Sequence, residues 1–151
     1  MFKLSNIKPI LNKQPFFLRS LSTKAAKIYR FEDIKQLVQH PDSKKILIDV
    51  REPEELKDYT LPNSINIPLK TAPGALGLKS EEFKEIFKFN KPSIDSELIF
   101  LCAKGARAQT AEELARSFGY ENTGIYLGSI KEWLEKGGKD AVPKKTTKED
   151  K

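Results

Sequence analysis

The sequence predicts an α/β fold: one domain on a central parallel β-sheet, with helices covering both faces. Short apolar runs alternate along the chain with amphipathic helical patterns, the order that builds parallel sheets through helical crossovers. Two of those runs, Ile46-Leu47-Ile48-Asp49-Val50 and Leu98–Leu101, are apolar at successive positions, as strands buried on both faces are. The 151 residues, 38% hydrophobic and 32% charged, are enough for one sizeable core but not two.

The elements follow in order. Phe31, Ile34, Leu37 and Val38 share one helical face, with acidic Glu32 and Asp33 in the first turn, and His40-Pro41-Asp42 ends that helix. After the strand 46–50, Pro53 opens a short helix to about Asp58, proline being tolerated in a first turn. Leu61-Pro62-Asn63-Ser64 turns the chain into a brief strand, Ile65-Asn66-Ile67, stopped by Pro68. Residues 71–79 form a loop around Pro73, Gly74 and Gly77. Ser80 then caps a helix with Phe83, Ile86 and Phe87 on its apolar face. Beyond the strand 98–101, a helix buries Ala111, Leu114, Ala115 and Phe118 and stops at Gly119. Thr123–Tyr126 is the last strand, Gly128-Ser129 a turn, and Ile130–Lys136 the last helix before Gly137-Gly138, with Trp133 at core spacing.

Charge is unevenly spread. Of a net charge of +6, Lys3, Lys8, Lys13 and Arg19 supply four, and no acidic residue precedes Glu32. The folded part is therefore nearly balanced, which argues against a nucleic-acid footprint. A basic, acid-free, amphipathic segment over residues 1–21 has the composition of a mitochondrial transit peptide, with a plain basic tail as the alternative. Arg19-Ser20-Leu21-Ser22 fits a matrix-processing pattern, so the expected location is the mitochondrial matrix and the expected mature start is Leu21 or Ser22. The domain then runs over 22–140, and 141–151 is a disordered charged tail. No apolar stretch approaches the roughly 20 residues that span a bilayer. With one cysteine and one histidine, the chain has no intramolecular disulfide and no Cys/His zinc site; neither metal nor cofactor is expected.

That single cysteine is the chemical centre. Cys102 stands where the strand 98–101 runs into Ala103-Lys104-Gly105-Ala106-Arg107 and a helix begins. Backbone N–H groups at a helix start, with two cations beside them, favour a nucleophilic sulfur anion and a substrate that is itself anionic. Strand-end Asp49 and Arg51 point to the same edge of the sheet, where such folds bind ligands. His40 lies in a turn far from Cys102 in sequence, so a Cys-His protease is not expected. Two chemistries remain: phosphate transfer through a cysteinyl-phosphate, and sulfur transfer through a persulfide. A phosphate-binding loop of this type is one residue longer and follows a histidine. Four residues between Cys102 and Arg107, after Leu101, favour sulfur.

Three stretches together resemble the rhodanese family of sulfurtransferases: Asp49-Val50-Arg51-Glu52-Pro53-Glu54-Glu55 with Ile65-Asn66-Ile67-Pro68, then Leu101–Arg107, then Gly119-Tyr120 with Tyr126–Ile130 and Trp133. The resemblance spans about Tyr29 to Gly138 and points to the small single-domain mitochondrial members of yeasts. It departs from the family pattern at Tyr59-Thr60, commonly Gly-His, and at Gly128-Ser129, often Gly-Gly. It implies a rhodanese-like fold and a double displacement in which Cys102 takes the outer sulfur of thiosulfate, or another sulfane-sulfur donor, as a persulfide. The acceptor is a thiol or cyanide. Ala103 to Arg107 bind the substrate, with Lys104 and Arg107 holding the sulfonate and Gly105 allowing close backbone approach. A persulfide carrier with incidental thiosulfate activity is the alternative, and a cysteine phosphatase a weaker one.

Some roles stay open at this level. Lys104 is a sulfonate ligand or a solvated lysine, and Arg107 binds the anion or pairs with a glutamate of its own helix. Asp49 is read first as an acceptor that fixes its loop, and Arg51 is its partner or lines the pocket. The loop around Pro73 is a candidate flank of the site.

Overall fold

Five strands line up in the order β1-β5-β4-β2-β3, every neighbouring pair parallel, in a computed structural model that describes residues 24–144. The strands are β1 (Lys27–Tyr29), β2 (Lys45–Asp49), β3 (Ser64–Asn66), β4 (Glu97–Leu101) and β5 (Thr123–Tyr126). The helices are α1 (Phe31–Gln39), α2 (Pro53–Leu56), α3 (Ser80–Phe87), α4 (Ala106–Ser117), α5 (Ser129–Glu135) and α6 (Gly138–Ala141). The transit-peptide reading of 1–21 lies outside the described residues, as does the tail beyond Lys144.

The alternation of side chains along each strand divides the core in two. Ile48 of β2 with Leu98 and Phe100 of β4 face α3 and α4, meeting Phe83, Ala111 and Ala115. Leu47 with Ile99 and Leu101 face the other way, toward Phe31 and Ile34 of α1 and Ile130 and Trp133 of α5. The two-sided burial predicted from the apolar runs is what the sheet requires. Trp133 is the packing residue expected, fully buried with its ring 5.3 Å from that of Phe31 and its indole N–H given to the Tyr59 hydroxyl at 2.8 Å. Each fully buried large apolar side chain contributes about 1.5–3 kcal/mol.

Several boundaries differ from those expected. The brief second strand begins and ends one residue earlier, at Ser64 and Asn66, and α2 ends at Leu56. Ser80 is the first residue of α3, the capping position being Lys79. Ile86 and Phe118 are exposed rather than buried: Ile86 is one residue from the end of α3, and Phe118 follows the last residue of α4 and lays its ring against Gly77 at the mouth of an open cleft. Gly119 does end α4, at φ +96°. Three elements were not expected: the edge strand β1, only three residues long, a single 3-10 turn at Ala75–Gly77 inside the expected loop, and α6 after Gly137. Through α6 the domain continues past residue 140, since Ala141 and Val142 pack against the core. No helix among the described residues is long and apolar enough to cross a membrane.

The topology locates the site. From β4 the chain continues to β5 on one side, while β2 and β3 lie on the other. The carboxyl ends of β2 and β4 therefore flank a switch point, the crevice where open α/β sheets bind ligands. The two ends are level, Asp49 opposite Leu101, and the Val50 N–H donates to the Leu101 carbonyl at 2.9 Å.

Candidate active site

Cys102 is the first residue after β4 and is 1% exposed. Its backbone is fixed from the start of α5: its carbonyl accepts the Ile130 N–H at 3.1 Å, and the Ala103 carbonyl accepts the Lys131 N–H at 3.0 Å. Its own N–H donates to Ser129 Oγ at 3.1 Å, and that hydroxyl donates onward to the Tyr126 carbonyl at 2.7 Å. The same oxygen stands 3.9 Å from Cys102 Sγ. Ser129 is itself buried and sits at φ +53°, which explains why glycine is common at this point of the family pattern.

The loop curls back so that the Gly105 N–H donates to Cys102 Sγ at 2.9 Å. Only glycine fits there: φ is +111°, and a Cβ would stand 2.4 Å from the Leu127 carbonyl oxygen. The first α4 amide with a backbone partner is that of Gln109, which donates to the Gly105 carbonyl at 3.2 Å. The N–H groups of Ala103, Lys104, Ala106 and Arg107 have no carbonyl partner among the described residues. Cys102 Sγ and a cradle of amide donors thus share the positive end of a 12-residue helix.

The two loop cations behave differently. Lys104 is exposed and has no ion pair among the described residues. Arg107 is held end-on by Glu55 of α2, with Nη1 to Oε2 at 2.7 Å and Nη2 to Oε1 at 2.8 Å. The expected alternative of a partner on its own helix is therefore replaced by one across the crevice. The hydrogen bonds from Arg107 pull the Glu55 carboxyl down to about 2, burial opposing and the Glu52 N–H assisting. Arg107 is held above its ordinary value, first by Glu55 and in smaller measure by the charges of Cys102 and Asp49.

Asp49 and Arg51 form a buried clamp. Asp49 accepts the Arg51 backbone N–H at 3.0 Å and its Nη2 at 2.7 Å. Arg51 also donates to the carbonyls of Glu55 at 3.2 Å and Tyr59 at 2.8 Å. Asn66 ties β3 to the same corner through the carbonyls of Asp49 and Arg51, at 2.9 and 2.8 Å. Arg51 is only 4% exposed, so it is the partner of Asp49 rather than a pocket wall. The Pro73 loop closes an apolar cleft over Val50, Phe100 and the buried face of α4, beside the crevice.

Two residues of the site went unmarked in the sequence reading. Glu55 lay inside a quoted stretch, but its contact spans 52 residues and depends on the sheet order. Ser129 was visible only as a departure from Gly-Gly.

A sheet of this topology, with a cysteine-based loop at its switch point, defines a rhodanese-like domain, and residues 32–136 match that family. The chain belongs to it. Thiosulfate sulfurtransferase RDL2, mitochondrial, of Saccharomyces cerevisiae is 66% identical over 128 residues, covering 85% of this chain and 86% of that protein. The crystal structure of that single-domain sulfurtransferase superposes with a TM-score of 0.78 at 65% identity, over 82% of this chain and all of its own. A thiosulfate:glutathione sulfurtransferase of the same yeast is 43% identical over 110 residues, 73% of this chain and 79% of that protein.

Proposed function

We propose that this chain is a thiosulfate sulfurtransferase that carries sulfur as a persulfide on Cys102. The Gly105 N–H directed at Cys102 Sγ from 2.9 Å is the observation that carries this reading, because it aims a donor at the atom that must bear charge. The Cys102 thiolate attacks the outer sulfur of thiosulfate. A new S–S bond forms at Cys102, the bond to the sulfonate sulfur breaks, and its electron pair leaves with sulfite. The terminal sulfur of the persulfide, now the anion, lies among the amides of Ala103, Lys104, Ala106 and Arg107, which have no carbonyl partner among the described residues. An acceptor thiolate or cyanide then attacks that sulfur, and the Cys102 thiolate departs. Lys104 supplies the first cation for the sulfonate, and Arg107 supplies a second in competition with Glu55.

The 1% exposure of Cys102 suits small donors and acceptors better than a protein thiol, which places the carrier reading second. The N-terminal composition and the mitochondrial relative support import into the matrix, with removal of residues 1–21. Intact-mass measurement after exposure to thiosulfate tests the chemistry. The expected result is a gain of one sulfur atom, removed by cyanide and absent in Cys102→Ser; an unchanged mass in the parent protein refutes it.

A further inference from the structure

We infer that Glu55 determines how strongly the site holds an anionic donor, by occupying the guanidinium of Arg107 that the donor would otherwise bind. The inference rests on the sulfurtransferase reading and concerns the charge the loop presents. The loop carries two cations, Lys104 and Arg107. Glu55 grips the second at two points, 2.7 and 2.8 Å, and leaves Lys104 as the loop cation without a counter-charge among the described residues.

The carboxylate is the anchored member of this pair. Its Oε2 also accepts the Glu52 N–H at 2.9 Å, and its backbone carbonyl is held by buried Arg51 at 3.2 Å. Glu55 is thereby fixed to the end of β2, whereas Arg107 reaches it across the crevice on a long, flexible side chain. Both side chains are about a third exposed, 34% for Arg107 and 37% for Glu55, so the pair lies at the rim, within reach of an arriving anion. Beyond the loop amides, a dianion entering this rim meets Lys104 as its one uncompensated side-chain charge among the described residues unless it draws Arg107 from Glu55. Arg107 keeps N–H groups that Glu55 does not use, so the donor competes for the guanidinium rather than finding it absent. The opposite role, in which Glu55 holds Arg107 in its binding pose, predicts effects of opposite sign.

Glu55→Gln separates the two. Glutamine keeps the shape and an oxygen for the Glu52 N–H but loses the charge. The expected result is a KM for thiosulfate lowered about three- to fivefold, the range a partly exposed ion pair commands, with kcat within about twofold of the parent. Alkylation of Cys102 gives a readout independent of turnover. Anionic iodoacetate should react about three- to fivefold faster relative to neutral iodoacetamide, and the gain should shrink with added salt. Glu54→Gln removes the same charge from an exposed neighbour that does not touch Arg107, and should leave both ratios unchanged. Glu55→Asp keeps the charge but is too short for the two-point grip, and should shift both ratios by less in the same direction. An unchanged or raised KM together with an unchanged iodoacetate to iodoacetamide ratio overturns the inference. Absence of thiosulfate turnover with a shifted alkylation ratio would instead overturn the sulfurtransferase reading.

Discussion

Gly105 brings its N–H to the sulfur only because its backbone lies at φ +111°, where an added Cβ would press on the Leu127 carbonyl from 2.4 Å. Gly105→Ala must therefore open the loop or strain it. The strain costs about 1–3 kcal/mol, and a displaced amide costs on the order of 100-fold in kcat/KM; urea unfolding and thiosulfate turnover check the two effects separately. Ser129 presents a different balance. Its hydroxyl satisfies the buried Cys102 N–H at 3.1 Å, while its φ of +53° is unfavourable for any residue with a Cβ. Ser129→Ala loses the hydrogen bond and keeps the strain, about 1–3 kcal/mol; Ser129→Gly loses the bond but relieves the strain. The glycine variant should unfold at the higher urea midpoint of the two, and the reverse order would rule out this account. Glu55 sets the pH behaviour of the rim. Its carboxyl is lowered from 4.5 to about 2, so the stability it contributes is present above its unfolded value and is lost only as pH falls toward about 2. The pair stays closed from about pH 8 to about pH 5, and the KM ratio of Glu55→Gln to parent should be constant over that interval in steady-state assays.

At the scale of elements, one residue joins the end of β2 to α2 and the loop after it. Arg51 meets Asp49, the Glu55 carbonyl and the Tyr59 carbonyl together, a set that only a planar fork of donors can reach. Arg51→Lys keeps the charge but cannot make all three contacts, and each buried carbonyl left without its donor costs about 1–3 kcal/mol. Because α2 carries Glu55, the same variant should also weaken charge selectivity at Cys102, read by the two alkylating reagents at a temperature where the protein is folded. The Asp49–Arg51 pair was legible in the sequence, since it is local and closes a strand end. So was the strand 98–101, whose apolar run leaves no other burial, and the strand 123–126 was placed by the turn residues that bracket it. The grip of Glu55 on Arg107 was not, because it needs β2 and β4 to be neighbours in register. Nor was the exposure of Ile86 and Phe118, which periodicity places on an apolar face without saying where its cover ends. The strand β1 escaped because three residues with one buried side chain carry no period at all.

For the whole molecule, that short strand covers the edge of β5 and ties the first described residues to the core. Tyr29 and Lys27 both donate to Glu97, a carboxylate on β4 that is only 7% exposed, the lysine at 3.2 Å. Burial and that neighbouring charge push the Tyr29 hydroxyl well above its usual range, so it remains a donor at every working pH. Just ahead of β1, the Lys24 carbonyl accepts a hydrogen bond from Arg116 of α4, and Lys24 Nζ donates to Asn122 at 2.7 Å. Among the described residues, stabilising contacts are thus already present at Lys24, close after the proposed processing point at Leu21 or Ser22. A chain starting at Ser22 should match the urea midpoint of the full sequence, since none of these contacts is lost. A chain starting at Phe31 should not. It bares the edge of β5, deletes a buried tyrosine worth about 3–5 kcal/mol, and leaves Glu97 a buried carboxylate without its two donors. Equal midpoints for the two truncations would show that β1 adds nothing to the sheet. A fall confined to the shorter chain would place the beginning of the folding unit between Ser22 and Phe31, compatible with cleavage at Leu21 or Ser22 but not with cleavage beyond β1.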